Sequence, residues 1–213
     1  MRMRNKPWAD EFLAENQSII VLNPTQHKGI WNEQFNKSQP VHLEIGTGMG
    51  GFISGMALQH PDINFVGIEK VKSVIVNTVK KVKEAGCSNI KLLNEDAVDV
   101  RDYFAESEID QIYLNFSDPW PKTRYAKRRL TYRSFLEQYQ VICKPGAYLV
   151  FKTDNQGLIE YSLSSFSKFG LTIQDVSLNL HQLNDPLNVM TEYEERFAKK
   201  GLPIYRATVQ FPE

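Results

Sequence analysis

The sequence predicts a doubly wound α/β fold: a seven-stranded sheet, mostly parallel, with an antiparallel last strand. Three observations predict it. Strand-like apolar runs alternate with helical patterns along the chain. A glycine cluster, Gly46 to Gly51, falls where the first strand turns into a helix. Acidic residues, Glu44, Glu69 and Asp96, mark the ends of three successive strands. Strands that alternate with helices need crossovers, and crossovers place helices over both faces of a parallel sheet.

Taken in order, residues 1–38 read as a polar, N-terminally basic arm ahead of one domain that fills the rest of the 213 residues. Val41 to Ile45 reads as the first strand, followed by a helix near Phe52 to His60. Ile63 to Glu69 reads as the second strand. The helix after it carries Val71, Val74, Ile75, Thr78, Val79 and Val82 at helical spacing, and Gly86 ends it. Ile90 to Leu93 and Ile109 to Phe116 are the third and fourth strands. A helix from Thr131 to Cys143 stops at Pro145-Gly146, and Ala147 to Thr153 is the fifth strand. A helix from about Gly157 to Lys168, a strand around Leu171 to Leu180, a helix around Thr191 to Lys199 and a strand near Ile204 to Phe211 complete the pattern.

Composition narrows the function classes. Hydrophobic residues make up 42% and charged residues 23%, as in an ordinary globular protein with one sizeable core. No run approaches the ~18 apolar residues of a membrane span, and Met1 to Lys6 leads into Pro7 and Trp8 rather than a secretory apolar region. Cys87 and Cys143 lie far apart without companions at metal-ligand spacing, so the expectation is a reducing, cytoplasmic setting with no metal and no disulfide. Lys plus Arg and Asp plus Glu both number 25, so only local charge can point to a partner.

The glycine cluster makes a turn whose backbone angles exclude other residues and lets a ligand approach the main chain. Gly46, Gly48 and Gly51 also satisfy a dinucleotide fingerprint, so the glycines alone choose no ligand. Glu44, two residues before Gly46, fits the E-x-G-x-G-x-G pattern of S-adenosylmethionine sites. Glu69, 19 residues past Gly50, is placed to accept from both ribose hydroxyls, and Asp96, followed by Ala97, to meet the adenine amino group.

The fourth strand delivers Asp118-Pro119-Trp120-Pro121, a loop stiffened by two prolines. A fixed carboxylate beside an aromatic ring suits base recognition, with the acid accepting from a base edge and the ring packing on its face. Lys122, Arg124, Lys127, Arg128, Arg129 and Arg133 follow, with Tyr125 and Tyr132 interleaved: six cations against one acid between Asp118 and Arg133. That mixture suits phosphate contacts with base or ribose stacking, so a nucleic acid is the expected substrate.

Asn115 to Lys122, with Arg128-Arg129 close behind, resembles the signature of bacterial tRNA (guanine-N7-)-methyltransferases. The resemblance extends to Arg4-Asn5-Lys6-Pro7-Trp8, to the Glu44 to Gly50 turn and to Thr191-Glu192-Tyr193-Glu194; Tyr125 stands where many relatives have histidine. It implies a class I methyltransferase (Rossmann-like) fold, S-adenosylmethionine as methyl donor and a variable-loop guanine at tRNA position 46 as acceptor. It implies that Glu44, Gly46, Gly48, Glu69, Asp96, Ala97 and Asp118 line the cofactor pocket, with Asp118 essential to activity. Lys122, Asp154, Thr191, Glu192, Tyr193 and Glu194 would meet the substrate. Arg124, Tyr125, Ala126, Lys127, Arg128 and Arg129 would contact RNA. Structural alternatives stand beside these roles: Asp154 as a helix N-cap, and Thr191-x-x-Glu194 as a capping box.

Guanine N7 has an in-plane lone pair and no proton, so its methylation needs no general base. Asp118 either accepts from the guanine N1–H and 2-amino groups or faces the charge that develops on the ring. Rival readings are an exocyclic-amine methyltransferase, whose Asn/Asp-Pro-Pro-aromatic loop differs from this one, a nicotinamide oxidoreductase, and a non-catalytic RNA-binding module. The sequence leaves monomer or homodimer open.

Overall fold

A computed structural model describes residues 8–213. Its seven strands are β1 (Val41–Ile45), β2 (Asn64–Ile68), β3 (Ile90–Leu93), β4 (Ile109–Asn115), β5 (Cys143–Thr153), β6 (Thr172–Ser177) and β7 (Tyr205–Gln210). They form one sheet in the order β3-β2-β1-β4-β5-β7-β6. The first five are parallel, and β7 runs antiparallel to both β5 and β6. The strand order reverses between β1 and β4, and open α/β sheets bind ligands beyond the strand ends at that point.

The helices are α1 (Ala9–Glu15), α2 (Gly51–Gln59), α3 (Lys72–Ala85), α4 (Arg133–Ile142), α5 (Gln156–Phe169) and α6 (Glu192–Ala198). Two apolar clusters form the core. Leu43, Leu114, Leu136, Tyr139, Phe151 and Phe166 anchor one, and Ile53, Phe65, Ile75, Val79 and Leu92 anchor the other. In α3 the buried stripe is Ile75, Val76, Thr78, Val79 and Val82. Val71, expected in that stripe, is the exposed N-cap residue, while Gly86 closes the helix in the left-handed conformation as expected.

Two local expectations are corrected. The helix before β5 ends at Ile142, ahead of Pro145-Gly146, and β5 begins at Cys143, which pairs with Ile109 across a register shift. The Pro-Gly pair therefore interrupts a strand instead of stopping a helix. The leading segment also differs from an arm over residues 8–38. Ala9, Leu13, Ile19 and Ile20 are buried in the second cluster, and Trp31 is fully buried against Phe104. Glu108 accepts from the N–H groups of Gly29 and Trp31, and Ile20 bridges Leu92 beside β3. Apolar residues too sparse for a periodic pattern still supply enough burial to fix this segment. The motif residues Arg4 to Pro7, and the basic charges of Arg2, Arg4 and Lys6, lie outside the described residues.

Candidate active site

A crevice of about 1020 Å³ opens at the C-terminal ends of β1, β2 and β4. That is the upper end of the ~300–1,000 Å³ typical of small-molecule sites, with room for more than one ligand group. Glu44, Gly46, Gly48, Glu69, Asp96, Ala97 and Asp118 all line it. So do Lys127, Arg128, Thr191, Glu192 and Tyr193, which belong to the expected RNA and substrate sets. Glu69 and Asp118 thus face one shared space, on which any methyl transfer between a nucleotide cofactor and a base depends.

The floor of the crevice is a buried polar pair. Glu44, 1% exposed, accepts from Asn115 Nδ2 through Oε1 at 2.9 Å, while Glu44 Oε2 and Asn115 Oδ1 have no partner among the described residues. Burial pushes the Glu44 carboxyl up to about 8, opposed by the Asn115 hydrogen bond. At the rim, Glu69 Oε2 accepts from Gly48 N–H at 3.0 Å and Oε1 from Val71 N–H at 2.8 Å. Each carboxylate oxygen keeps a second lone-pair direction for a ligand hydroxyl. Burial raises the Glu69 pKa, opposed by the backbone N–H groups of Val71, Gly48 and Lys70. Asp96 is exposed and ion-paired with Lys70.

Gly46 has φ +85°, and a Cβ added there would meet no atom within 4 Å, so the backbone is open towards the crevice. The residues present therefore suit S-adenosylmethionine: an open glycine turn, a rim carboxylate with spare acceptor capacity, and buried oxygens on the floor that want a donor.

The Asp118 loop is held by three devices. Phe116 and Trp120 adopt positive φ (52° and 41°), which non-glycine residues hold only where surroundings enforce it. Phe116 packs on Tyr193 with ring centroids 5.1 Å apart, and Tyr193 stacks on Phe197 at 4.7 Å. Arg129 donates to the carbonyls of Pro119 (3.1 Å) and Trp120 (3.0 Å), and its guanidinium lies 4.2 Å from the Tyr161 ring centroid. Asp118 itself is exposed at the mouth.

The basic segment forms a 3-10 helix, Thr123–Arg128, that buries none of its residues. Arg128 lies 4.8 Å from the Trp120 ring and 5.1 Å from that of Tyr125, and Arg124 lies 4.8 Å from Tyr125. Tyr125 meets Trp120 edge-on at 6.0 Å. Lys122 is exposed outside the crevice lining, and Ala126 accepts from Arg129 N–H. Arg129, expected to contact RNA, turns Nε and Nη2 and its flat face back onto the chain.

At α6, Thr191 is the N-cap, accepting from Glu194 N–H at 2.9 Å. The reciprocal half of a capping box does not form. Glu194, fully buried, accepts instead from Lys152 Nζ at 3.0 Å and from Asn188 Nδ2 at 2.8 Å. Its carboxylate is thereby turned away from the substrate side where it was expected. Burial lowers the Lys152 pKa, and Glu194 opposes the shift. Asp154 lies outside the crevice lining but accepts from Tyr193 Oη at 3.4 Å; the N-cap of α5 is Asn155, which accepts from Leu158 N–H. The segment before α6 lies directly on α2. A Cβ at Gly55 would stand 2.5 Å from Val189 Cγ1, and one at Gly51 would stand 2.8 Å from the Glu192 carboxyl, which pairs with Lys81. Sequence reasoning missed Asn115 and Lys152 as parts of the site; Asn115 carried a signal, standing inside the loop signature.

The family model described as "Putative methyltransferase" matches residues 38–207. The tRNA (guanine-N(7)-)-methyltransferase of Bacillus subtilis (strain 168) is 57% identical over 211 residues, 99% of each chain. That of Oceanobacillus iheyensis is 56% identical over the same span, again 99% of each chain. The chain belongs to the tRNA (guanine-N(7)-)-methyltransferase family. Solved methyltransferase structures share the fold at low identity. The 16S rRNA methyltransferase KamB aligns at TM-score 0.61 and 15% identity over 85% of this chain and 91% of its own. An antibiotic-related methyltransferase aligns at 0.60 and 20% over 89% and 98%. In this family member the crevice sits at the strand-order reversal.

Proposed function

We propose that this chain transfers a methyl group from S-adenosylmethionine to N7 of a guanine in the variable loop of tRNA, as a cytoplasmic, single-domain enzyme. The observation that carries the reading is the shared crevice: the cofactor-type acids Glu44, Glu69 and Asp96 open onto the same space as Asp118, Lys127 and Arg128. No helix among the described residues is long and apolar enough to cross a membrane.

Bound in the crevice, S-adenosylmethionine supplies an electrophilic methyl group on a sulfonium. Glu69 would accept from the ribose hydroxyls, Asp96 and Ala97 would meet the adenine edge, and Gly46 and Gly48 would let the ligand lie against the main chain. Glu44 and Asn115 present the floor oxygens. Because guanine N7 holds a free in-plane lone pair, no residue here removes a proton; the protein's work is alignment, which supplies most of the acceleration. Asp118 accepts from the guanine N1–H and 2-amino group. A stiff loop with two enforced backbone conformations and an arginine clamp fixes the direction of a carboxylate, and direction matters to hydrogen bonds far more than to charge. Lys122, Arg124, Lys127 and Arg128 hold phosphates, with Tyr125 stacking. Asp154 acts by orienting Tyr193, and Glu194 by holding the Thr191–Tyr193 turn against the substrate.

The test is methyl transfer from labelled S-adenosylmethionine to unmodified tRNA, followed by mapping of the methylated nucleoside. Asp118→Ala should lose transfer by orders of magnitude while retaining tRNA binding. A tRNA with inosine replacing the target guanine lacks the 2-amino group, and its kcat/KM should fall roughly 10- to 100-fold, the worth of one charged hydrogen bond. Full activity on inosine would leave Asp118 a purely electrostatic role, and a product other than N7-methylguanosine would overturn the function.

A further inference from the structure

A second cavity, of about 290 Å³, lies between the start of α4 and the outer side of α5. Its lining carries two cations, Arg133 and Lys168, three aromatic rings, Tyr132, Tyr161 and Phe169, and no acid. Arg133 donates from Nε to Glu137 at 2.8 Å and its side chain is 73% exposed. Lys168 is exposed, and its ammonium has no ion pair or hydrogen bond among the described residues. The hydroxyl of Ser164 adds a polar group on an exposed residue.

Two ties join this cavity to the active loop. Arg129 grips the carbonyls of Pro119 and Trp120 and lies on the ring of Tyr161, which is itself a wall of the second cavity. Ser165, another lining residue, donates to Thr131 O at 2.7 Å, tying α5 to the chain just after the basic segment. Arg129 and Thr131 thus link the Asp118 loop and the basic segment to the walls of the second cavity.

Size and chemistry select the occupant. The volume sits at the small end for ligand sites. Paired cations suit a phosphodiester, aromatic walls suit the face of an unstacked base, and hydroxyls suit ribose or base edges. Resting on the reading of this chain as a tRNA-modifying enzyme, we propose that the α4–α5 cavity is a second RNA contact, taking one unpaired nucleotide of the tRNA that presents its guanine to Asp118. Arg133 and Lys168 hold the phosphate, and Tyr132 or Phe169 covers the base. The contact fixes the RNA relative to the crevice at a second point.

The test is the double variant Arg133→Ala with Lys168→Ala, made on exposed side chains. Its KM for full-length tRNA should rise about tenfold, and the slope of log affinity against log salt should shrink by about 1, because one phosphate is no longer neutralised. S-adenosylmethionine affinity and the melting temperature should hold. Lys168→Glu alone should raise KM at least as far. Photocrosslinking of 4-thiouridine-substituted tRNA should label residues 161–169 in the wild type. An unchanged KM and salt slope in both variants, in an enzyme that methylates tRNA normally, would overturn the second contact. So would protection of residues 161–169 by millimolar mononucleotide as complete as by tRNA, which would assign the cavity to a free nucleotide. Wild-type protein that transfers no methyl to tRNA sinks the proposed function instead, and the crosslink then decides the cavity on its own.

Discussion

Replacing Lys152 by methionine should remove about 3–5 kcal/mol of stability, the cost of stranding one partner of a buried ion pair. The figure follows from how completely the pair is enclosed: the side chains of Lys152 and Glu194 are 4% and 0% exposed, with Nζ 3.0 Å from Oε2. All three ammonium hydrogens are used, since Nζ also donates to Asn188 Oδ1 at 2.7 Å and Val189 O at 2.9 Å. Methionine fills the space of the lysine stem but leaves those two acceptors unfilled and the carboxylate with Asn188 Nδ2 as its remaining hydrogen-bond donor. Unfolding in urea, followed by tryptophan fluorescence, measures the loss as a fall in midpoint at constant slope. Combining Lys152→Met with Glu194→Leu removes both charges and should recover most of the stability, because burying an ion pair gains little over apolar packing. The recovered double variant should still be a poor enzyme, since nothing then holds the Asn188–Val189 segment to β5. A single variant that costs under about 1 kcal/mol, or a double variant as unstable as the sum of the singles, would refute the reasoning.

Arg129→Lys keeps the charge but loses the two-carbonyl grip and the flat packing on Tyr161. It should lower kcat more than tenfold with KM and salt dependence nearly unchanged, whereas a phosphate-contact role would move KM alone. Gly55→Ala should destabilise the fold by about 1 kcal/mol, because overpacking against Val189 at ~1–3 kcal/mol exceeds the ~1 kcal/mol gained in helix propensity. Adding Val189→Ala should restore it, as read by thermal melting. Glu44 gives a pH signature. Its folded pKa of about 8 lies above the unfolded value of 4.5, so below about 4.5 both states hold the proton and pH has no effect through this group. Between about 4.5 and 8 the unfolded chain releases it while the fold retains it, and stability falls as pH rises; Glu44→Gln should flatten that slope in urea titrations at stepped pH.

What could be read from the sequence is what depends on near neighbours. Glu44, Glu69 and Asp96 could be placed because each sits at or just past the end of its own strand, and strands declare themselves through short apolar runs. The Gly46 turn and the stiff Asp118 loop are local for the same reason. Where the sequence misled, the deciding partner lies far along the chain. Arg129 stands among five other cations, and nothing nearby marks it as the one whose donors turn back to Pro119 and Trp120 and whose face meets Tyr161 on α5. Glu194 has the spacing of a capping box, yet Lys152, 42 residues earlier, outcompetes the Thr191 N–H for its carboxylate. Trp31 sits in a polar stretch, and its burial depends on Phe104 and on the carboxylate of Glu108.

The inward turns of Arg129 and Glu194 share one consequence for catalysis. A base-modifying site must hold an acid, a cofactor and a large flexible RNA in fixed relation, and a loop supported only by its own prolines would not do so. Here the Asp118 loop is tied on one side to α5 through Arg129 and Tyr161. It is tied on the other to α6 through Phe116 and Tyr193. The Lys152–Glu194 pair then locks α6 to the central sheet, and the Val189 contact locks the preceding segment to α2, whose N-terminus follows the glycine turn. Cofactor side and base side are therefore one connected frame. Disturbing either anchor should change the alignment of the reacting groups, and so kcat, before it changes how tightly either ligand binds.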